Sequence, residues 1–119
     1  MSKVRVKVIP SKEMKKRFGI SQGGYTVGKT VYCTPRAGEF VVEHEKAHVR
    51  LGHKPADLNI YQFIKRELKA DKMATEVTGR TYRKKDLQDI VEDTSERFGV
   101  PKTEVRVIVR REARKLRLI

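Results

Sequence analysis

The chain has 119 residues and a net charge of +13, and this length suits one domain with a modest core. Its single cysteine, Cys33, excludes an intramolecular disulfide and fits a reducing cytoplasm. No run approaches the roughly eighteen apolar residues of a membrane span, and the first residues lack the apolar stretch of a signal peptide. We therefore expect a cytoplasmic protein without a membrane anchor.

The positive charge is distributed unevenly along the chain. Residues 1–36 contain nine Lys/Arg and one acid, residues 37–79 contain seven of each, and residues 80–119 contain twelve against seven. Basic flanks of this kind attract nucleic acid, anionic membranes or acidic substrates, and they also keep a protein soluble. The abundance of Lys, Arg and Glu beside one Asn and three Gln favours a thermophile.

The first third of the chain predicts a small sheet and one short helix. Residues 3–9 alternate charged and apolar, which predicts a strand with one buried apolar face (Val4, Val6 and Val8). Residues 12–18 are predicted to be helical. Strand-like runs at residues 25–27 and 30–33 flank a Gly-Lys pair, which predicts a β-hairpin.

Residues 44–48 read His-Glu-Lys-Ala-His, within a helix predicted from about residue 39 to residue 51. On a helix, His44 and His48 lie on one face about one turn apart and can bind one metal ion, while Glu45 can reach a water on that ion. So short a motif also occurs by chance, and the alternative is a helix with two surface histidines.

Glu67 supplies a third candidate ligand, nineteen positions after His48, in the run Glu-Leu-Lys-Ala-Asp. Catalytic zinc sites combine three protein ligands with an open position, and two histidines with one glutamate are a standard set. Asp71 lies one helical turn after Glu67 and would accept the spare N–H of a ligand histidine. The alternative is a solvated acidic pair on a lysine-rich helix.

The two motifs, HEKAH and ELKAD, together resemble those of the gluzincin metallopeptidases. Their short separation and the chain length resemble the minigluzincins, small soluble peptidases similar to the catalytic domains of certain integral-membrane metallopeptidases. The resemblance covers residues 38–78. It implies a zinc-dependent endopeptidase that binds one zinc ion and hydrolyses a peptide or protein substrate. The implied zinc ligands are His44, His48 and Glu67. Glu45 would be the general base that activates a water on the zinc, and Asp71 would support the site through His44.

The resemblance also implies a fold class. We expect an α+β, minimal zincin-like domain over residues 1–119, in which a small three-stranded sheet packs on the active-site helix. A glutamate helix is predicted from Leu58 to about Thr78, with Asp57 as its N-cap, and a further helix from Lys85 to Phe98. Core positions of the glutamate helix are predicted at Leu58, Tyr61, Ile64, Leu68 and Met73, and smaller packing positions at Ala70, Ala74 and Val77. His53, in the loop between the two motif helices, is either a solvent-facing residue or an aid to transition-state binding.

Residues 102–119 fit two patterns. Val105, Val107 and Val109 alternate as in a strand, whereas Val105, Ile108 and Val109 also fit one face of a helix. As a strand, the segment could lie in or across the cleft of its own molecule or of a partner molecule and keep the enzyme latent as a zymogen, which the resemblance to minigluzincins favours. As a helix, it would be the last structural element.

The basic C-terminal third also predicts a second function. Residues 88–109 have the parts of a helix-turn-helix, namely a helix, a tight Gly-containing turn and a second helix. Its phosphate-binding residues would be Lys102, Arg106, Arg110, Arg111 and Arg114. DNA binding is therefore the alternative to peptidase activity. A purely structural zinc site is disfavoured, because such sites use four protein ligands, often cysteines.

Overall fold

The described residues of the computed structural model, 4–20, 23–53 and 58–119, form a small α+β domain with five helices and a three-stranded sheet. The elements in chain order are β1 (Arg5–Val8), α1 (Ser11–Phe18), β2 (Gly24–Val27), β3 (Thr30–Cys33), α2 (Glu39–Arg50), α3 (Ile60–Thr78), α4 (Lys84–Phe98) and α5 (Lys102–Lys115). The predicted α+β class is therefore confirmed. Within these ranges, none of the helices has the length and apolar character needed to cross a membrane.

The sheet has the strand order β1–β3–β2, with β1 parallel and β2 antiparallel to β3. The predicted hairpin is confirmed, and its turn places Gly28 at a φ of 59°, which glycine adopts without strain. Directly paired residues point to the same side of a sheet, so Val6, Val31 and Thr26 share one face. Helix α2 packs on this face, where the Thr26 hydroxyl contacts Glu45.

The prediction that Val6 and Val8 are buried is wrong, since these side chains are 41% and 61% exposed. Their β3 partners, Val31 and Cys33, are buried on the same face. The difference arises because α2 packs against β2 and β3, while β1 is the strand farthest from β2, at the opposite edge of the sheet. Alternation in a sequence identifies the two faces of a strand but does not show how far a helix extends across them.

Helix α2 lies between the sheet and α3 and packs against both. Helix α3 begins behind a capping box: the Asn59 side chain accepts from the Gln62 backbone N–H at 2.9 Å, and the Gln62 side chain accepts from the Asn59 N–H at 3.1 Å. The N-cap is therefore Asn59 and not the predicted Asp57, which lies outside the described residues. On the other side, α3 packs against α4 and α5.

The main hydrophobic core lies between α3, α4 and α5. Its buried residues are Ile64, Leu68, Leu87, Ile90, Val91, Val105, Val109 and Ala113. The predicted packing positions Ala70 and Ala74 are buried, but the predicted core residue Tyr61 and the predicted packing position Val77 are 49% and 52% exposed. Both exposed residues lie in the terminal turns of α3, beyond the stretch that contains its buried residues. Apolar periodicity alone does not show where the neighbouring helices stop covering α3.

The C-terminal segment is helical, so the strand alternative is wrong. In α5, Val105 and Val109 are fully buried, whereas Val107 is 66% exposed. The Lys72 ammonium of α3 donates to the backbone carbonyl of Leu116 at 2.8 Å and fixes the end of α5. The hypothesis that this segment maintains latency stays a prediction, but the strand pairing on which it depended is not formed.

We expect Val109→Ala to lower the free energy of unfolding by roughly 2 kcal/mol, because it removes two methyl groups from a fully buried position. The matched control is Val107→Ala, which makes the same change on the exposed side of the same helix and should alter stability by less than about 0.5 kcal/mol. Urea denaturation of both variants measures the difference. Equal effects would contradict the assignment of α5 to the core.

Candidate metal centre

The three predicted metal ligands converge where α2 packs against α3. The Nε2 atoms of His44 and His48 lie 3.1 Å apart. The Glu67 carboxylate places one oxygen 3.4 Å from His44 Nε2 and the other 3.0 Å from His48 Nε2. Around a tetrahedral zinc ion with ligand bonds of about 2.0–2.1 Å, ligand atoms are separated by about 3.3 Å. The spacing of the three side chains therefore fits such an ion.

Small residues allow α2 and α3 to approach closely enough for this convergence. Ala47 on α2 and Ala70 and Ala74 on α3 are fully buried. Ala70 and Ala74 follow Glu67 by three and seven residues and so lie on the same face of α3. Larger side chains at these positions would separate the helices and move Glu67 away from the imidazoles.

The Asp71 carboxylate lies against the ring of His44. Its Oδ1 lies 2.6 Å from His44 Nδ1, and its Oδ2 accepts a hydrogen bond from the Tyr82 hydroxyl. Because a carboxylate accepts, His44 Nδ1 carries the proton and leaves Nε2 to face Glu67. Burial and the neighbouring Asp71 raise the pKa of Tyr82 well above its usual value, so its hydroxyl remains a donor. The role of Tyr82 has no local sequence signal, since it precedes α4 and contacts α3 only through the tertiary fold.

His44 and Glu67 form a partly buried ion pair. Burial alone would lower the pKa of His44, but hydrogen bonds to Asp71 and Glu67 raise it well above the ordinary value. Burial alone would raise the pKa of Glu67, but hydrogen bonds from both imidazoles hold it well below its usual range. A metal ion at Nε2 of His44 must therefore displace a proton.

The Glu45 carboxylate lies beside the cluster and is held by the hairpin. The Thr26 hydroxyl donates to Glu45 Oε2 at 2.6 Å, and a Cβ on Gly24 would lie only 3.0 Å from Glu45 Cγ. Burial raises the pKa of Glu45, while the nearby His44 and the hydrogen bond from Thr26 lower it. Sequence reasoning missed Thr26 and Gly24, because strand residues some twenty positions before the motif carry no signal of this contact.

His53 contacts His48 and does not face solvent as a free loop residue. The Nδ1 atoms of the two rings lie 2.9 Å apart, so one donates a hydrogen bond and the other accepts it. Burial and the neighbouring His48 lower the pKa of His53 to about 4, which makes its imidazole neutral at neutral pH. All three histidines of the chain therefore belong to one cluster.

Two cavities meet at this cluster. The larger, of about 730 Å³, is bounded by β2, by His48 and by side chains of α4, and the smaller, of about 320 Å³, lies beside His44 and Asp71. Glu45 and Glu67 line both cavities. Helix α5 contributes none of the described lining residues of either. The cluster is thus accessible from a cleft between the hairpin and α4.

Comparison with known proteins does not assign the chain to a family, since no family model, curated protein or solved structure matches it. The interpretation of the cluster therefore depends on its own residues. Two Nε2 atoms and a carboxylate converge at the spacing of metal ligands, a second carboxylate orients one imidazole, and a third lies beside them in a cleft.

We expect Asp71→Asn to weaken zinc binding about 10- to 100-fold, because the variant keeps the size of the side chain but loses the charge that orients His44. Competition with a chromophoric chelator measures the zinc Kd. The control is Glu76→Gln, which removes an acid whose side chain is 65% exposed from the same helix and should leave the Kd unchanged. If Asp71→Asn binds zinc as tightly as the wild-type chain, Asp71 has no role in the metal centre.

Proposed function

We propose that this chain is a zinc metallopeptidase of the gluzincin type, with a minimal zincin-like arrangement of sheet, motif helix and glutamate helix. The observation that carries the proposal is the convergence of His44 Nε2, His48 Nε2 and the Glu67 carboxylate beside Glu45 in an open cleft. Three protein ligands leave a fourth position free, as a catalytic zinc requires. A reducing cytoplasm suits the single buried Cys33.

Glu45 would perform the proton transfers of peptide hydrolysis. Zinc, when bound, supplies a Lewis acid for the scissile carbonyl and lowers the pKa of a water. Glu45 takes one proton from the water as its oxygen attacks the carbonyl carbon, and delivers it to the nitrogen as the C–N bond breaks. Burial, which raises the pKa of Glu45, suits a group that must both accept and release a proton. The Thr26 hydroxyl keeps the carboxylate directed into the cleft.

The hairpin would bind the substrate backbone. Strand β2 is an edge of the sheet, and Gly24, Tyr25 and Thr26 line the larger cavity. An edge strand presents unpaired backbone N–H and C=O groups, with which an extended peptide can pair as an additional strand. A peptide held in this way would pass beside Glu45 and the three ligands.

The metal assignment is tested by substituting each ligand. His44→Ala, His48→Ala and Glu67→Ala should each lose stoichiometric zinc, because two remaining side chains hold the ion poorly. Native mass spectrometry with and without chelator counts the bound ions, and the wild-type chain should bind one. Glu76→Ala is the control on α3 and should retain it. Full zinc affinity in the Glu67→Ala variant would remove Glu67 from the site.

Glu45→Gln separates metal binding from chemistry. The amide has nearly the same shape as the carboxylate but cannot take a proton from water, so the variant should remain folded, bind one zinc ion and lose hydrolysis of an unfolded protein substrate. Glu39→Gln, an exposed change in the first turn of the same helix, should leave hydrolysis unchanged. Activity in Glu45→Gln would exclude Glu45 as the general base.

DNA binding stays the alternative proposal, and one feature of the structure favours it. Helices α4 and α5 are joined by residues 99–101 alone, and α5 exposes Arg110, Arg111 and Arg114 on its surface. Binding to phosphates through these side chains would weaken steeply with rising salt and would not respond to chelator. Hydrolysis by the metal centre would instead be lost on addition of chelator and would not fall steeply with rising salt.

A further inference from the structure

The end of helix α2 places His53 against His48. Leu51 is the C-cap, and Gly52 follows it with a φ of 70°, in the left-handed region that glycine favours. The Gly52 N–H donates to the carbonyl of Val49 at 3.1 Å, and the His53 N–H donates to the carbonyl of His48 at 2.9 Å. These two hydrogen bonds define a Schellman motif.

A Schellman motif brings the second residue after the C-cap back against the third residue before it, usually as a hydrophobic contact. Here the two residues are His53 and His48, and the contact is between imidazoles. Their ring centroids are 5.2 Å apart, and their Nδ1 atoms are separated by 2.9 Å. The backbone hydrogen bond and the ring contact join the same pair of residues, so the position of the His53 ring is determined by the helix stop.

We propose that His53 is a positioning residue for the metal centre: when a metal ion occupies Nε2 of His48, the Nδ1 of His53 accepts the Nδ1–H of His48 and keeps Nε2 directed towards Glu67. The inference depends on the proposed metal site. Metal-bound histidines generally donate their second ring N–H to a fixed acceptor, which selects the tautomer and the ring orientation. Asp71 supplies that acceptor for His44, and His53 supplies it for His48.

The geometry assigns His53 to this role and not to metal binding. It approaches Nδ1 of His48, and the two nitrogens of an imidazole point in divergent directions, so His53 lies on the side of the ring away from Glu67. The side-chain atoms that converge within 4.8 Å of one another belong to His44, His48 and Glu67. An imidazole nitrogen is also a weaker acceptor than a carboxylate oxygen, so the loss of His53 should have a smaller effect than the loss of Asp71.

The experiment compares zinc binding by the wild-type chain, His53→Phe and His53→Gln, with zinc alone as the probe. Phenylalanine keeps an aromatic ring at the helix stop but has no acceptor, and we expect the zinc Kd to rise about 10-fold. Glutamine offers an amide oxygen and should bring the Kd back to within about 3-fold of the wild-type value. Thermal unfolding of the metal-free variants controls for the fold.

The outcomes separate this inference from the proposed function. If the wild-type chain binds zinc and His53→Phe binds it as tightly, the inference is overturned while the metal centre stands. If both variants weaken binding equally, His53 acts by packing at the helix stop, and the inference is also overturned. A wild-type chain that binds no zinc overturns both proposals.

If His53→Phe does not fold, a measurement on the wild-type protein tests the same inference. In the zinc-loaded, ¹⁵N-labelled chain, long-range ¹H–¹⁵N spectra should show His48 protonated at Nδ1, with the slow proton exchange of a hydrogen-bonded group. A His48 ring that is unprotonated at Nδ1, or whose Nδ1 proton exchanges as freely as one in water, would overturn the role of His53.

Discussion

The contact between α2 and α3 is the constraint on which the rest of the structure depends. It leaves two imidazoles and two carboxylates only 5–19% exposed, and a buried charge without a partner would cost several kcal/mol. The fold tolerates this cluster because its side chains form hydrogen bonds and ion pairs with one another. Across the described residues, no buried side-chain nitrogen or oxygen lacks a hydrogen-bond partner. The same close approach creates the spacing that a metal ion needs, so folding and the proposed metal binding use one contact.

Three peripheral segments each hold one side chain of the candidate site. The hairpin supplies Thr26 to Glu45, the loop before α4 supplies Tyr82 to Asp71, and the stop of α2 supplies His53 to His48. The loop before α4 is itself fixed, because Arg80 forms two hydrogen bonds to Asp86, at 2.7 and 2.9 Å. The proposed catalytic groups therefore lie on helices, and their side chains are oriented by residues from other parts of the fold. Such preorganisation is what hydrolysis at a metal centre requires.

The parts of the fold that could be predicted from sequence are those governed by local periodicity and stop signals. The hairpin and the helices before and after it appear at the predicted places, with ends displaced by one or two residues. The exposure of Val6, Val8, Tyr61 and Val77 could not be predicted, because it depends on how far a neighbouring helix extends. The conformation of the last segment was equally open, since valines spaced by two fit a strand and valines spaced by four fit a helix. In the structure, Val105 and Val109 pack against α3 and α4, and this packing stabilises the helical conformation.

For the site, the sequence alone determined that His44 and His48 share one helical face and that Glu67 and Asp71 share a face of a second helix. Residues four apart in a helix are neighbours, and this spacing does not depend on the tertiary fold. Only the tertiary structure decided that these two faces meet, that both histidines present Nε2 to Glu67, and that Thr26, Tyr82 and His53 complete the cluster. The physical reason is the range of the contacts. Helical spacing follows from backbone geometry within one turn, whereas ring orientation follows from hydrogen bonds whose partners are brought together by packing elsewhere in the chain.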